Sequence, residues 1–250
     1  MVHLDYWTTE ASHWWYRARR TILKHSLDGA LKPFSENPSA TVLDVGSGGG
    51  AMLGLLAHYG QVTLTEPDAG RLLARQASLQ QRAPDTKFVT EGWATLSFPE
   101  SSFDVLTAFD VLEHLEDDHA ALACWLTWLK PGGFLVMTVP AFSCLWGKND
   151  VQGGHYRRYT RETLLNVLEA MPLRVVRCHY FFSALFLPAW LSRAVGETVT
   201  GDADSPPAEM ALPPAWINEP LTHLLALERF VPPALLPPWG TSLLLIAQKL

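Results

Sequence analysis

The stretch Val42-Leu43-Asp44-Val45-Gly46-Ser47-Gly48-Gly49-Gly50 decides the fold. A short run with two β-branched residues gives way to four glycines, and residues 51–59 then carry good helix formers. A strand that turns sharply into a helix is expected there. Glycine allows the turn and lets the backbone approach a ligand with no Cβ in the way, while the helix start offers unpaired N–H groups. Glu66 follows Gly46 by twenty residues, at the end of a second expected strand (61–65). A carboxylate at that point can accept from both hydroxyls of a ribose. Together these residues describe a nucleoside pocket. The spacing Gly46-x-Gly48-x-x-Ala51 also satisfies the dinucleotide fingerprint, so the motif alone leaves the nucleotide open.

Outward from this stretch, strand-type and helix-type runs alternate. Helices are expected at 12–27 (capped by Ser12), 51–59 (ended by Gly60 in a left-handed position), 69–82, 118–129 and from the Thr160 cap to about residue 171. Strands are expected at 41–45, 61–65, 86–90, 103–109, 134–139, 173–179 and 242–249. Alternation of this kind gives an α/β fold with a doubly wound, mainly parallel sheet. Composition shifts near Tyr180: residues 181–240 hold ten of the eighteen prolines and no lysine, which marks an insertion before the last strand. The expected division is an N-terminal helical lid (1–38), a main domain (39–180 and 241–250) and a Pro-rich hydrophobic insertion (181–240). The insertion is too long to be structureless and should carry helices that shape an apolar substrate pocket or a homodimer contact; a peripheral membrane contact is the less favoured role.

A net charge of −6 and a pI near 5.8 offer no general attraction for nucleic acid. Three scattered cysteines without a C-x-x-C pattern argue against a zinc or disulfide framework and suit a reducing, cytoplasmic setting. The longest apolar stretch, 181–191, falls short of the roughly 18 residues of a membrane span.

The residues around the glycine loop are similar to those of class I S-adenosylmethionine-dependent methyltransferases. Asp44, two residues before Gly46, matches the acidic-x-Gly-x-Gly signature of that family. Ser101-Ser102-Phe103-Asp104-Val105-Leu106 resembles its fourth strand, Asp110-Val111-Leu112-Glu113-His114 the segment beyond it, and Leu129-Lys130-Pro131-Gly132-Gly133-Phe134-Leu135 the start of its fifth. His13 to Arg20 and Gly154-His155-Tyr156-Arg157-Arg158-Tyr159-Thr160 look like a bacterial subgroup that acts on small molecules. The resemblance implies a Rossmann-like seven-stranded sheet with an antiparallel last strand, S-adenosyl-L-methionine as cofactor and methyl transfer to a small molecule, at oxygen first, with nitrogen or carbon as alternatives. It implies that Asp44, Gly46, Ser47, Gly48 and Gly50 line the cofactor, with Glu66 on the ribose and Pro67 and Asp110 beside them. Trp93 either stacks on the adenine or packs in the core. A nicotinamide-dependent oxidoreductase and a non-catalytic binding module are the rival readings.

Methyl transfer from a sulfonium asks chiefly for alignment, and a hydroxyl acceptor benefits from a nearby base. His114, after the fourth strand, and His155, in a glycine-flanked loop after the fifth, are the candidates; Asp110, Glu113 and Asp118 could orient His114. Arg17 and Arg20 share one helix face, so one of them could bind the cofactor carboxylate or an anionic substrate. Arg157, Arg158 and Arg161 read as solvated charge paired with Glu162, or as an anion site. The cluster Glu113, His114, Asp117, Asp118 and His119 supplies one converging i, i+4 pair, too few ligands for a metal, and none is expected.

Overall fold

Seven strands form one sheet: β1 (Thr41–Val45), β2 (Gln61–Thr65), β3 (Lys87–Val89), β4 (Phe103–Phe109), β5 (Leu129–Pro140), β6 (Leu173–Phe181) and β7 (Ser242–Lys249). The structure is a computed structural model and describes residues 10–92, 95–195 and 212–250. The order is β3-β2-β1-β4-β5-β7-β6, with β1 to β5 parallel and β7 antiparallel to both β5 and β6. This is the expected doubly wound, Rossmann-like sheet. The chain reverses its direction of winding between β1 and β4, and ligands of such sheets bind in the crevice at the carboxyl ends of those strands.

Period-two alternation divides the strand side chains between two layers. Leu43, Leu106, Leu135, Met137, Leu243 and Leu245 face the helices Asp118–Trp128 and Arg161–Leu168, around the fully buried Trp125. Val42, Val62, Val105, Val136, Leu244 and Ile246 face the opening helix Trp14–Ala30, which buries Ala18, Ile22, Leu23 and Leu27 against them. The spacing of those four positions is that of one helical stripe.

Several local expectations are corrected. The opening helix starts one residue later than Ser12 would allow, because His13 caps it: its Nδ1 accepts from the Trp15 amide at 3.2 Å. After the glycines the chain makes turns and only a short helix, Leu53–Leu56. Gly60 does take a positive φ (+148°), although the helix before it ends earlier, and a Cβ there would also sit 2.3 Å from the Ala40 carbonyl oxygen. The span 69–82 is two helices, Ala69–Leu73 and Gln76–Arg82, the first capped by Asp68. The helix begun at Thr160 ends at Leu168.

The insertion does carry helices, Ser183–Ala194 and Ala215–Ala226. Glu228 accepts from the amides of Phe182 (2.6 Å) and Ser183 (3.2 Å) and from the Ser183 hydroxyl (2.7 Å), binding one end of the insertion to the other. Asn218 accepts from the Trp14 amide and donates to the Ser12 carbonyl, so the second insertion helix holds the start of the opening helix. Large apolar side chains of the insertion remain exposed, among them Leu187, Trp190, Trp216, Leu224 and Phe230. No helix among the described residues is long and apolar enough to cross a membrane.

Candidate active site at the carboxyl edge of the sheet

The glycine loop is held from β2. Ser47 donates its amide (2.8 Å) and its hydroxyl (3.2 Å) to the Thr65 carbonyl, and the Gly48 amide donates to Glu66 Oε2 at 2.8 Å. The other oxygen of Glu66 accepts from the Asp68 amide at 3.1 Å. Gly48 has φ +55°, and a Cβ placed on it would meet no atom within 4 Å, so this backbone borders open space. Gly50 packs inward over Leu79 and Leu64. Pro67, exposed, lies beside Gly92, and Trp93 falls outside the described residues.

Asp44 is buried under the loop, where its Oδ1 accepts from the Thr107 hydroxyl at 2.6 Å. Burial pushes its carboxyl up to about 7, against the Thr107 bond and the Arg19 charge, which favour the ionised form. Asp110 directly follows β4 with φ +55°, a conformation that is rarely adopted by residues other than glycine and that collects at functional sites. Its carboxylate accepts from the Thr138 hydroxyl (3.0 Å) and pairs with Arg19 (2.6 Å).

Arg19 is the residue that sequence reasoning missed. Its guanidinium crosses from the opening helix to the strand edge, donates to Thr138 Oγ1 at 2.6 Å and lies over the Trp15 ring at 5.0 Å. Arg17 is paired in bidentate fashion with Glu219 of the insertion. Arg20 donates to the Glu10 and Ala11 carbonyls. The signal for Arg19 was available, since it falls on the apolar stripe with Ala18, Ile22 and Leu23, where an unpaired charge is costly. Glu10, also unforeseen, stands near Arg19, Arg75, Arg20 and Arg71, and burial raises its carboxyl to about 7 against their charges. Arg75 in turn donates to the Gly49 carbonyl, so the start of the opening segment lies by the glycine loop.

His114 and His155, separated by forty-one positions, meet edge to face with ring centroids 4.5 Å apart. The Tyr156 amide donates to the Glu113 carbonyl at 2.7 Å and fastens the two segments. His114 lies in a 3-10 turn, Leu112–His114, rather than in the following helix, so the expected pairing with Asp118 does not form. A backbone hydrogen bond with Gly153 orients it, and burial followed by the His155 charge lowers its pKa. His155 is oriented by Asp150, another residue that the sequence reading passed over, at 2.9 Å from Nδ1. Arg158 grips Asp150 with two nitrogens, and Arg157 pairs with Asp118 at 2.8 Å; these carboxylates, not Glu162, are the partners of the two basic residues. Asp117 caps the helix Asp118–Trp128 through the Ala120 amide.

Residues 43–137 match the family profile described as a methyltransferase domain. The chain is 30% identical over 144 residues to the ubiquinone biosynthesis O-methyltransferase of Xanthomonas campestris pv. campestris, a match that covers 55% of this chain and 60% of that protein. It is 31% identical over 106 residues to the ubiquinone/menaquinone biosynthesis C-methyltransferase UbiE of Shewanella piezotolerans, covering 40% and 42%. The matches thus cover less than two thirds of the length of these relatives. Among solved structures, the 1,6-didemethyltoxoflavin-N1-methyltransferase of Burkholderia thailandensis, with bound 1,6-didemethyltoxoflavin and S-adenosylhomocysteine, superposes with a TM-score of 0.55 at 19% identity, over 98% of this chain and 81% of that one.

Proposed function

From a class I S-adenosylmethionine-dependent methyltransferase domain as premise, we propose that this protein transfers a methyl group to a hydroxyl oxygen of a small acceptor. The observation that carries this reading is Glu66, a buried carboxylate that meets the open backbone of Gly48 at the end of β2. In the proposed complex Glu66 turns from the Gly48 amide to the two ribose hydroxyls, and Gly46, Ser47, Gly48 and Gly50 underlie the nucleoside with Pro67 on its base side. Asp44 and Asp110, with Arg19 between the helix and the strand edge, form the polar end that receives the amino-acid part of the cofactor. When bound, that cofactor supplies a methyl group on a positively charged sulfur. The chain's own task is then to hold an acceptor oxygen in line and to exclude water.

His114 and His155 are the proposed acceptor-side groups, at the same sheet edge as Asp110. Transfer to oxygen is favoured by the imidazole pair, since burial and then the His155 charge lower the His114 pKa and favour its neutral form. The relatives' names, which include a ubiquinone O-methyltransferase and a 2-methyl-6-phytyl-1,4-hydroquinone methyltransferase, support an acceptor of hydroxylated-ring type with an apolar portion. The apolar insertion is the proposed wall for that portion, or a homodimer contact, and the free cysteines accord with a cytoplasmic setting.

Calorimetric titration with S-adenosylmethionine, S-adenosylhomocysteine and NAD tests the cofactor. Release of S-adenosylhomocysteine in the presence of small hydroxylated aromatics tests the reaction. Binding of the two sulfur compounds and not of NAD is expected; binding of NAD alone would overturn the reading, and cofactor binding without turnover on any acceptor would reduce the protein to a binding module.

A further inference from the structure

The sequence gives no reason to expect a metal, yet one donor atom from each of Glu113, His114 and His155 lies within 4.8 Å of the others. Glu113 is fully buried, and both of its carboxylate oxygens lack a hydrogen-bond partner. A carboxylate so placed needs a proton or a cation. The neighbouring positive charges are committed elsewhere: Arg158 to Asp150, and Arg19 to Asp110.

The two imidazoles are arranged as ligands. Asp150 stands at 2.9 Å from His155 Nδ1, and Arg158 and the Gly147 amide hold that carboxylate ionised. A carboxylate there keeps the proton on Nδ1 and leaves the Nε2 lone pair free, which is the support that metal-bound histidines ordinarily receive. A Cβ on Gly153 would lie 3.0 Å from His155 Nε2 and 3.7 Å from His114 Cε1, so the glycine is what lets the rings converge. The bond from the Tyr156 amide to the Glu113 carbonyl fixes the distance between the two contributing segments.

We propose that Glu113, His114 and His155 bind one divalent first-row transition-metal ion, with His155 aligned by Asp150 and at least one coordination position left open at the carboxyl edge of the sheet. Two imidazole nitrogens and one carboxylate oxygen suit zinc, cobalt or manganese, and three protein ligands leave room for a further oxygen donor.

The test uses the full chain, freed of metal with a chelator and titrated with Co²⁺ by visible absorption and with Zn²⁺ by calorimetry. One equivalent per chain is expected, with Zn²⁺ displacing Co²⁺. Glu113→Gln and His155→Gln should each weaken binding at least about tenfold, with an unchanged far-ultraviolet dichroism spectrum. The exposed His119→Gln should bind as the native chain does. Should Glu113→Gln fail to fold, the half-buried loop variant His155→Gln decides the matter. Absence of stoichiometric binding by the native chain would overturn the proposal, and so would affinities unchanged in the folded variants. Because the readout is metal occupancy, a negative result leaves the methyl-transfer reading to its own test.

Discussion

Asp150→Asn preserves the shape of a buried side chain and removes its charge. The native carboxylate is fully buried; Oδ1 faces Arg158 Nε at 2.7 Å and His155 Nδ1 at 2.9 Å, and Oδ2 accepts from Arg158 at 3.0 Å and from the Gly147 amide at 2.8 Å. Burial opposes its ionisation, but the bonds from His155 and Arg158, the Arg158 charge and the Gly147 amide outweigh it and lower the carboxyl from 3.8 to about 2. A carboxylate lowered on folding stabilises the fold above its unfolded value and loses that contribution as pH falls towards the folded one. The displacement is worth about 2 kcal/mol at pH 7, since each unit is about 1.4 kcal/mol, and roughly half of that at pH 3. Leaving Arg158 without its partner moves the loss at pH 7 towards the range of about 3–5 kcal/mol seen when one member of a buried pair is removed. Urea unfolding of the native and variant chains at pH 7 and pH 3 measures the difference. It should shrink at the lower pH, because Asp150 of the unfolded chain then takes up a proton while the folded one remains largely ionised. A difference under about 0.5 kcal/mol at pH 7, within the range of ordinary surface changes, or one that does not fall with pH, would refute this account of the loop.

Glu66→Ala should weaken S-adenosylhomocysteine binding by more than about tenfold, the equivalent of one or two lost charge-assisted hydrogen bonds, as measured by calorimetry; unchanged affinity would remove Glu66 from the ribose. Gly48→Ala meets no neighbour but forces an L residue to φ +55°, so it should cost about 1–2 kcal/mol in urea unfolding and weaken cofactor binding beyond that; a fully stable variant with native affinity would contradict the placement of this loop. His114→Ala should lower turnover with little change in cofactor affinity, and full activity would exclude His114 from the acceptor side. Glu219→Ala should alter cofactor affinity little, since it breaks a pair of partly exposed side chains; a large loss would show that the pair positions the opening helix over the site.

The strands were legible because their information is local. The runs 103–109 and 242–249 are apolar, bounded by turn residues, and form strands with those limits. Helix ends were less so: neither proline nor glycine stands at Ala74 and Arg75 to mark the break between the two helices. At the site, the glycine loop and Glu66 were readable from spacing alone. The meeting of His114 with His155 was not, because it depends on where the end of β5 returns to the sheet edge and on the backbone bond between Tyr156 and Glu113. Arg19 was masked by a simpler pattern, since Arg17 and Arg20 form the more obvious i, i+3 pair while Arg19 points the other way into the layer.

Phe181 and Ser242 face each other as register partners in β6 and β7. The chain therefore leaves the sheet after Phe181 and rejoins it at Ser242, the excursion between them standing where a hairpin would have its turn. Leu225 and Ala226 of that excursion lie in the same buried cluster as Leu244 and Ile246, so the detour is tied back into the layer it leaves.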